Sequence, residues 1–167
     1  MNVQLLESVR KKIVLYPDRF CAAQWAFARN ATRVLREGAV PDGFRACIAG
    51  HVLLENGSHD ERDLLEEGGF HTGGTLWKKA ARALQIGADP CRELFFPSQW
   101  DKPYKQEYYL CAEEEEAHVA AAYLDYFMRK HAGSAAAASP RDAFAPERLA
   151  GRSQPVARGE RTPVPTP

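Results

Sequence analysis

Between Phe44 and Glu55 the chain reads FRACIAGHVLLE, a stretch that is apolar on nearly every side if it is wound as a helix. A helix at the edge of a protein keeps a polar stripe at 3.6-residue spacing, and one without such a stripe must be surrounded by other elements. This segment is therefore predicted to lie at the centre of the fold. Ala46, Ala49, Gly50 and Leu53 form a face of small side chains that lets a neighbouring helix approach closely. A glycine inside a helix costs about 1 kcal/mol relative to alanine, so close packing is the natural compensation at Gly50. Asn56 and Gly57 supply a left-handed stop.

Along another stripe of the same segment, Cys47, His51 and Glu55 stand one turn apart. A thiol with a lowered pKa near a helix N-terminus, an imidazole base and an orienting carboxylate would suit nucleophilic catalysis. Three successive turns of one helix, however, run their side chains in parallel, and no second element is identified that would bind an oxyanion. A metal reading is short of ligands as well. Cys47 and His51 provide two where a structural zinc needs four, and His59, His71, Cys91, Cys111 and His118 follow no metal-binding spacing. Architecture explains the same residues with fewer demands: Cys47 as a small core hydrophobe, His51 as a partly buried histidine bonded to Glu55 or to a backbone carbonyl. No catalytic residue, metal or cofactor is assigned, and Cys47, His51 and Glu55 stand as the candidates against that reading.

The surrounding elements follow from periodicity. Val3, Leu6, Val9, Ile13 and Tyr16 mark an amphipathic helix that stops at Pro17. Asp18 offers a cap for a second helical stretch carrying Trp25, Phe27, Ala28, Val34 and Leu35, which runs out at Gly38. The polar, glycine-rich SHDERDLLEEGGFHTGG reads as a connecting loop with a short helix at most around Leu64 and Leu65. A helix resumes from Thr75 to Leu84, and Pro90 to Phe96 forms another, capped by Asp89. PSQWDKPYKQEYY wraps across the surface, anchored by Trp100, Tyr104 and Tyr108 or Tyr109. Glu113 to Glu116 open a last helix carrying Val119, Ala122, Tyr123, Tyr126 and Phe127, whose end at Arg129, Lys130 and His131 matches the helix dipole. No alternating strand pattern and no internal repeat is found. The fold class expected is all-α, a compact bundle of about five or six helices.

Composition sets the outer limits. A chain of 167 residues that is 45% hydrophobic can build one core. Residues 1–132 are assigned to it. Beyond Gly133 the chain turns to alanine, proline and arginine, with six of the eleven prolines, and residues 133–167 are expected to be a disordered tail. Twenty-two basic residues balance 22 acidic ones, so no global field draws the chain to nucleic acid or an anionic membrane. The N-terminus lacks the apolar core of a signal peptide, and no window approaches the ~18 apolar residues of a membrane span; the expected location is cytoplasmic. The four cysteines are widely spaced and read as buried thiols.

WKKAARALQIGADPCRELF, within residues 75–96, spaces its apolar positions much as a helix-turn-helix does. Lys78, Lys79, Arg82 and Arg92 are the candidate DNA contacts, although the second helix offers only Arg92 beside Glu93 for reading bases.

Trp25, the string CIAGH at Cys47–His51, then ALQIG, ELFF and YLDYF together resemble a pattern found in a loose group of small, mostly helical proteins of bacteria and their phages. There a tryptophan is followed by a Cys-x-Ala-Gly helix continuing with histidine or an aromatic, and later by a Leu-Gly-Leu and Leu-Phe element. The chain departs from it in having VPDGFRAC where a Cys-Gly pair often stands, and Gln85 and Ile86 in place of Leu-Gly-Leu. The resemblance implies an all-helical fold and no reaction. The function expected is a non-enzymatic interaction or accessory module whose partner is another protein, through Trp100, Lys102, Tyr104, Lys105 and Tyr108 and the acidic Asp60–Glu67 loop.

Overall fold

Helix α1 (Val3–Leu15) leads into a 3-10 turn at Pro17–Arg19, then strand β1 (Ala26–Phe27), helix α2 (Ala31–Glu37), strand β2 (Arg45–Ala46) and helix α3 (Ile48–Glu55). Helices α4 (Glu61–Gly69), α5 (Gly73–Leu84), α6 (Ala88–Phe95), α7 (Tyr104–Leu110) and α8 (Glu116–His131) follow, with 3-10 turns at Pro97–Gln99 and Glu113–Glu115. This computed structural model describes residues 1–69 and 73–132, over which the protein is predominantly helical. His71 and the tail expected over residues 133–167 lie outside the described residues.

The periodic segments assemble as their patterns require. The Asn2 side chain accepts a hydrogen bond from the Leu5 amide at 3.1 Å to start α1, which buries Leu6, Val9 and Ile13. That face packs along α8, whose inward side is Ala117, Ala120, Ala121, Tyr123, Leu124 and Phe127, and an Arg10–Asp125 ion pair at 2.6 Å ties the two. Alanines on α8 let the helices meet closely, while its aromatics fill the space beyond. Helix α3 is gripped between α1 and α5, the latter burying Leu76, Ala80, Ala81 and Leu84.

Several expectations are corrected. The second helical stretch holds only from Ala31; the chain bends at Trp25, and Ala26 and Phe27 are extended, pairing antiparallel with Ala46 and Arg45. This two-stranded sheet is absent from the sequence reading. Helix α3 starts at Ile48, with Cys47 at its cap position, and Arg45 and Ala46 are drawn into the strand. The supposed loop after Gly57 contains the full helix α4: Asp60 and Asp63 exchange hydrogen bonds from each other's amides at 2.8 and 3.0 Å, a reciprocal cap, and Leu64 and Leu65 are buried. Gly87, rather than Asp89, stands at the cap of α6. Tyr104 to Leu110 are regular helix rather than an irregular strap. The added helices α4 and α7 raise the count from six to eight among the described residues.

Gly50 is the tightest point in this arrangement. A Cβ built there would lie 2.8 Å from the Ala46 Cβ and 2.9 Å from the Trp25 carbonyl oxygen. The close neighbour is therefore the backbone before β1, not the helix that the small-residue face suggested. Neither opposing atom can swing aside. Gly57 has a different reason to be glycine: its φ of +67° turns the chain out of α3. Gly50→Ala is predicted to destabilise the protein by about 2 kcal/mol in denaturant unfolding despite alanine's better helix propensity, since overpacking outweighs the propensity gain.

Candidate functional site

The Cys47, His51 and Glu55 row is divided among separate partners. His51, 6% exposed, donates from Nε2 to the Arg19 carbonyl at 3.2 Å, and its ring stacks on Phe20 at 6.2 Å. Since a carbonyl only accepts, Nε2 carries the proton of a neutral ring. Burial lowers the His51 pKa to about 4, more than the carbonyl contact raises it. Burial likewise pushes the Cys47 thiol up to about 11, against the lowering effect of backbone amides at the start of α3. Glu55 faces α1, accepting from the Ser8 hydroxyl at 2.6 Å with the Lys12 ammonium 3.8 Å away. A protonated thiol and an unprotonated imidazole, both inside the protein, form no nucleophile and base pair. Among the described residues no three His, Cys, Asp or Glu side chains are grouped to hold a metal.

The pair α5 and α6 does form two helices joined by a short turn at Gln85–Gly87. Its charges are largely committed elsewhere. Lys79 binds Glu67 at 2.7 Å, Lys78 lies 5.6 Å over the Trp77 ring, and Arg92 pairs with Asp89 at 3.4 Å. Glu93, beside Arg92, holds Lys130 at 2.7 Å and His131 at 3.1 Å. Arg82 is exposed on α5. Two carboxylates with one paired guanidinium on α6 make a poor match for a base-reading helix.

The acidic Asp60–Glu67 segment is helix α4, and its carboxylates are partly spent within the fold. Glu61 pairs with Arg19, and Glu67 with Lys79 and, at 3.3 Å, with His59.

The Trp100–Tyr109 segment turns most of its aromatics inward. Trp100 is 3% exposed, donates its indole N–H to the Leu94 carbonyl at 3.2 Å and stacks on Tyr123 at 4.4 Å. Tyr104 meets Tyr123 edge-on at 5.6 Å, and Tyr108 meets Trp100 at 5.4 Å. Trp100 is thus a core residue and unavailable to a partner, a correction to its place among the interaction residues. Lys105 is held by the Ser98 carbonyl at 2.7 Å, and Lys102 is exposed.

What remains outside is the C-terminal end of α7, where Tyr109 is 59% and Leu110 85% exposed. Leu110 borders an open groove of about 670 Å³ between α7 and α8, with Val119 and Ala122 as apolar lining and Glu107, Glu115 and His118 as polar lining. Glu107, Glu114 and Glu115 engage in no side-chain hydrogen bond or ion pair among the described residues. The negative field is felt nearby: burial first, and then the Glu116 carboxylate, pushes Tyr108 up to about 12, and the same two causes raise Cys111. Leu110, Glu107 and Glu115 were missed in the sequence. The only available signal was an apolar Tyr-Leu pair ending a helix just ahead of a carboxylate run.

Because His51 is neutral when folded and has an ordinary pKa of 6.5 when unfolded, its contribution to stability is complete above that value and falls away as pH drops toward 4. Unfolding free energy is predicted to fall by about 3 kcal/mol across that window. The slope should flatten in His51→Gln, which keeps a donor for the Arg19 carbonyl. Glu67 and Asp101, both held low chiefly by lysine hydrogen bonds, lose their contributions only as pH falls through the carboxylate range below. No family model, curated protein or solved structure matches this chain.

Proposed function

We propose that this protein is a non-enzymatic, cytoplasmic interaction module that docks another protein in the groove between α7 and α8. The observation that carries the reading is Leu110, 85% exposed at the end of a helix whose Tyr104 and Tyr108 pack against Tyr123 and Trp100. A large apolar side chain fixed on a rigid element and bordered by a groove suits an anchor contact, since little entropy is lost in ordering it. Glu107 and Glu115, which line the groove and have no side-chain partner among the described residues, give the docked protein its chemistry: an apolar anchor flanked by lysine or arginine. Lys102 and Tyr109 lie at the margin of this surface, while Tyr104 and Tyr108 hold α7 in place from below. The buried, protonated Cys47 and neutral His51 support the non-enzymatic side of the reading, and among the described residues no helix is long and apolar enough to span a bilayer.

An array of synthetic peptides with defined charge and apolar content tests this proposal. Binding is predicted to select basic peptides with a leucine or aromatic anchor, to weaken about tenfold or more on Leu110→Asp, and to weaken again with rising salt. Selection of acidic peptides, or retention of binding by Leu110→Asp and by Glu107→Lys with Glu115→Lys, contradicts it.

A further inference from the structure

Residues of β1, α2 and α4 surround a pocket of about 610 Å³. That volume falls within the range of small-molecule sites, roughly 300 to 1,000 Å³. Its walls include Trp25, Phe27, Leu35 and Leu65, and alanines such as Ala31 leave the space between them open. The Trp25 wall is pre-formed. Its ring meets Phe96 edge-on at 5.9 Å, and Phe96 in turn meets Trp77 at 6.0 Å. From behind, Gly68 brings α4 so near that a Cβ there would lie 3.1 Å from the Trp25 Cβ.

The polar part of the lining is what points to a ligand. Gln24 borders the pocket together with Thr32 and Arg36, one helical turn apart on α2, and no carboxylate does among the described residues, so Arg36 is the charged group of the lining. Nearby arginines are engaged: Arg33 with Glu37 at 3.3 Å, Arg29 with Asp42 at 2.9 Å, Arg62 with the Leu35 carbonyl at 3.4 Å. The Arg36 side chain engages in no hydrogen bond or ion pair among the described residues. An apolar, aromatic-walled pocket bordered by one uncompensated guanidinium matches an anion with an apolar body, and the planar guanidinium fork suits a carboxylate in particular.

We propose that this pocket binds a small carboxylate with a flat apolar body, the body lying against Trp25, Phe27 and Leu35 and the carboxylate on Arg36. The site is separate from the α7–α8 groove and does not depend on it.

Titrating the full chain with 2-naphthoate and with its uncharged counterpart 2-naphthamide, followed by amide NMR shifts and tryptophan fluorescence, tests the assignment. The acid is expected to shift the amides of Ala26, Phe27, Ala31 and Leu35 and to bind about tenfold more tightly than the amide. Arg36→Gln should bring the acid down to the affinity of the amide without changing the latter, and Ala31→Leu, which fills the pocket, should weaken both. Arg36 is exposed, so its variant is expected to fold even if Ala31→Leu does not. Equal affinities for acid and amide, an unaltered Arg36→Gln titration, shifts confined to other surfaces, or no shifts at millimolar acid would each overturn the proposal.

Discussion

The contact between Gly50 and the Trp25 carbonyl governs how the rest of the protein is put together. Because no side chain separates α3 from the backbone before β1, the chain around Trp25 and Ala26 lies directly on the central helix. Ala46 then reaches Ala26 to complete the strand pair, and the Cys21 amide donates to the Ala46 carbonyl at 3.2 Å, drawing in the segment after the Pro17–Arg19 turn. From the turn itself, the Arg19 carbonyl caps His51. One close approach thus brings three chain segments around the start of α3, leaving α1 and α5 to cover its flanks.

This arrangement decides which chemistry is available. Desolvation acts on thiol and imidazole with opposite effects on pKa and the same effect on charge: both groups stay neutral. A cysteine at a helix N-terminus ordinarily gains thiolate character from the amides there, but at Cys47 complete burial is the larger influence. The thiol and imidazole in the middle of the protein are therefore buried and neutral. Among the described residues, Glu107 and Glu115 beside Leu110 and the Arg36 guanidinium lie at the periphery with no side-chain partner.

How far the sequence disclosed this depends on whether a feature is periodic. Helices α1, α5 and α8 were legible because Leu6, Val9 and Ile13, or Leu76, Ala80 and Leu84, repeat at helical spacing, and because charge at the ends of α8 matches its dipole. Two-residue strands have no period to detect, so Trp25 to Phe27 were absorbed into a helix. Helix α4 was obscured by its glycines and its low apolar content, although the Asp60 and Asp63 cap followed by Leu64 and Leu65 was in plain view. An aromatic segment interrupted by proline suggested anchoring by Trp100, Tyr104 and Tyr108 and equally a surface for a partner, and nothing local in it marked Trp100 as core. The groove was not legible either, since it depends on which part of α8 is left uncovered by α7, a tertiary matter to which Val119 and Ala122 give no local clue.

Architectural burial of Cys47 is the claim from which the non-enzymatic reading follows, and site-resolved alkylation of the native protein tests it directly. Cys21 and Cys111, both partly exposed, should be modified first, while Cys47 and the buried Cys91 should react only at the slow rate set by opening of the fold, with no advantage for Cys47 as pH is lowered. Rapid modification of Cys47 ahead of the other three, sustained below neutral pH, would mean an accessible thiolate at the start of α3 and would contradict the account.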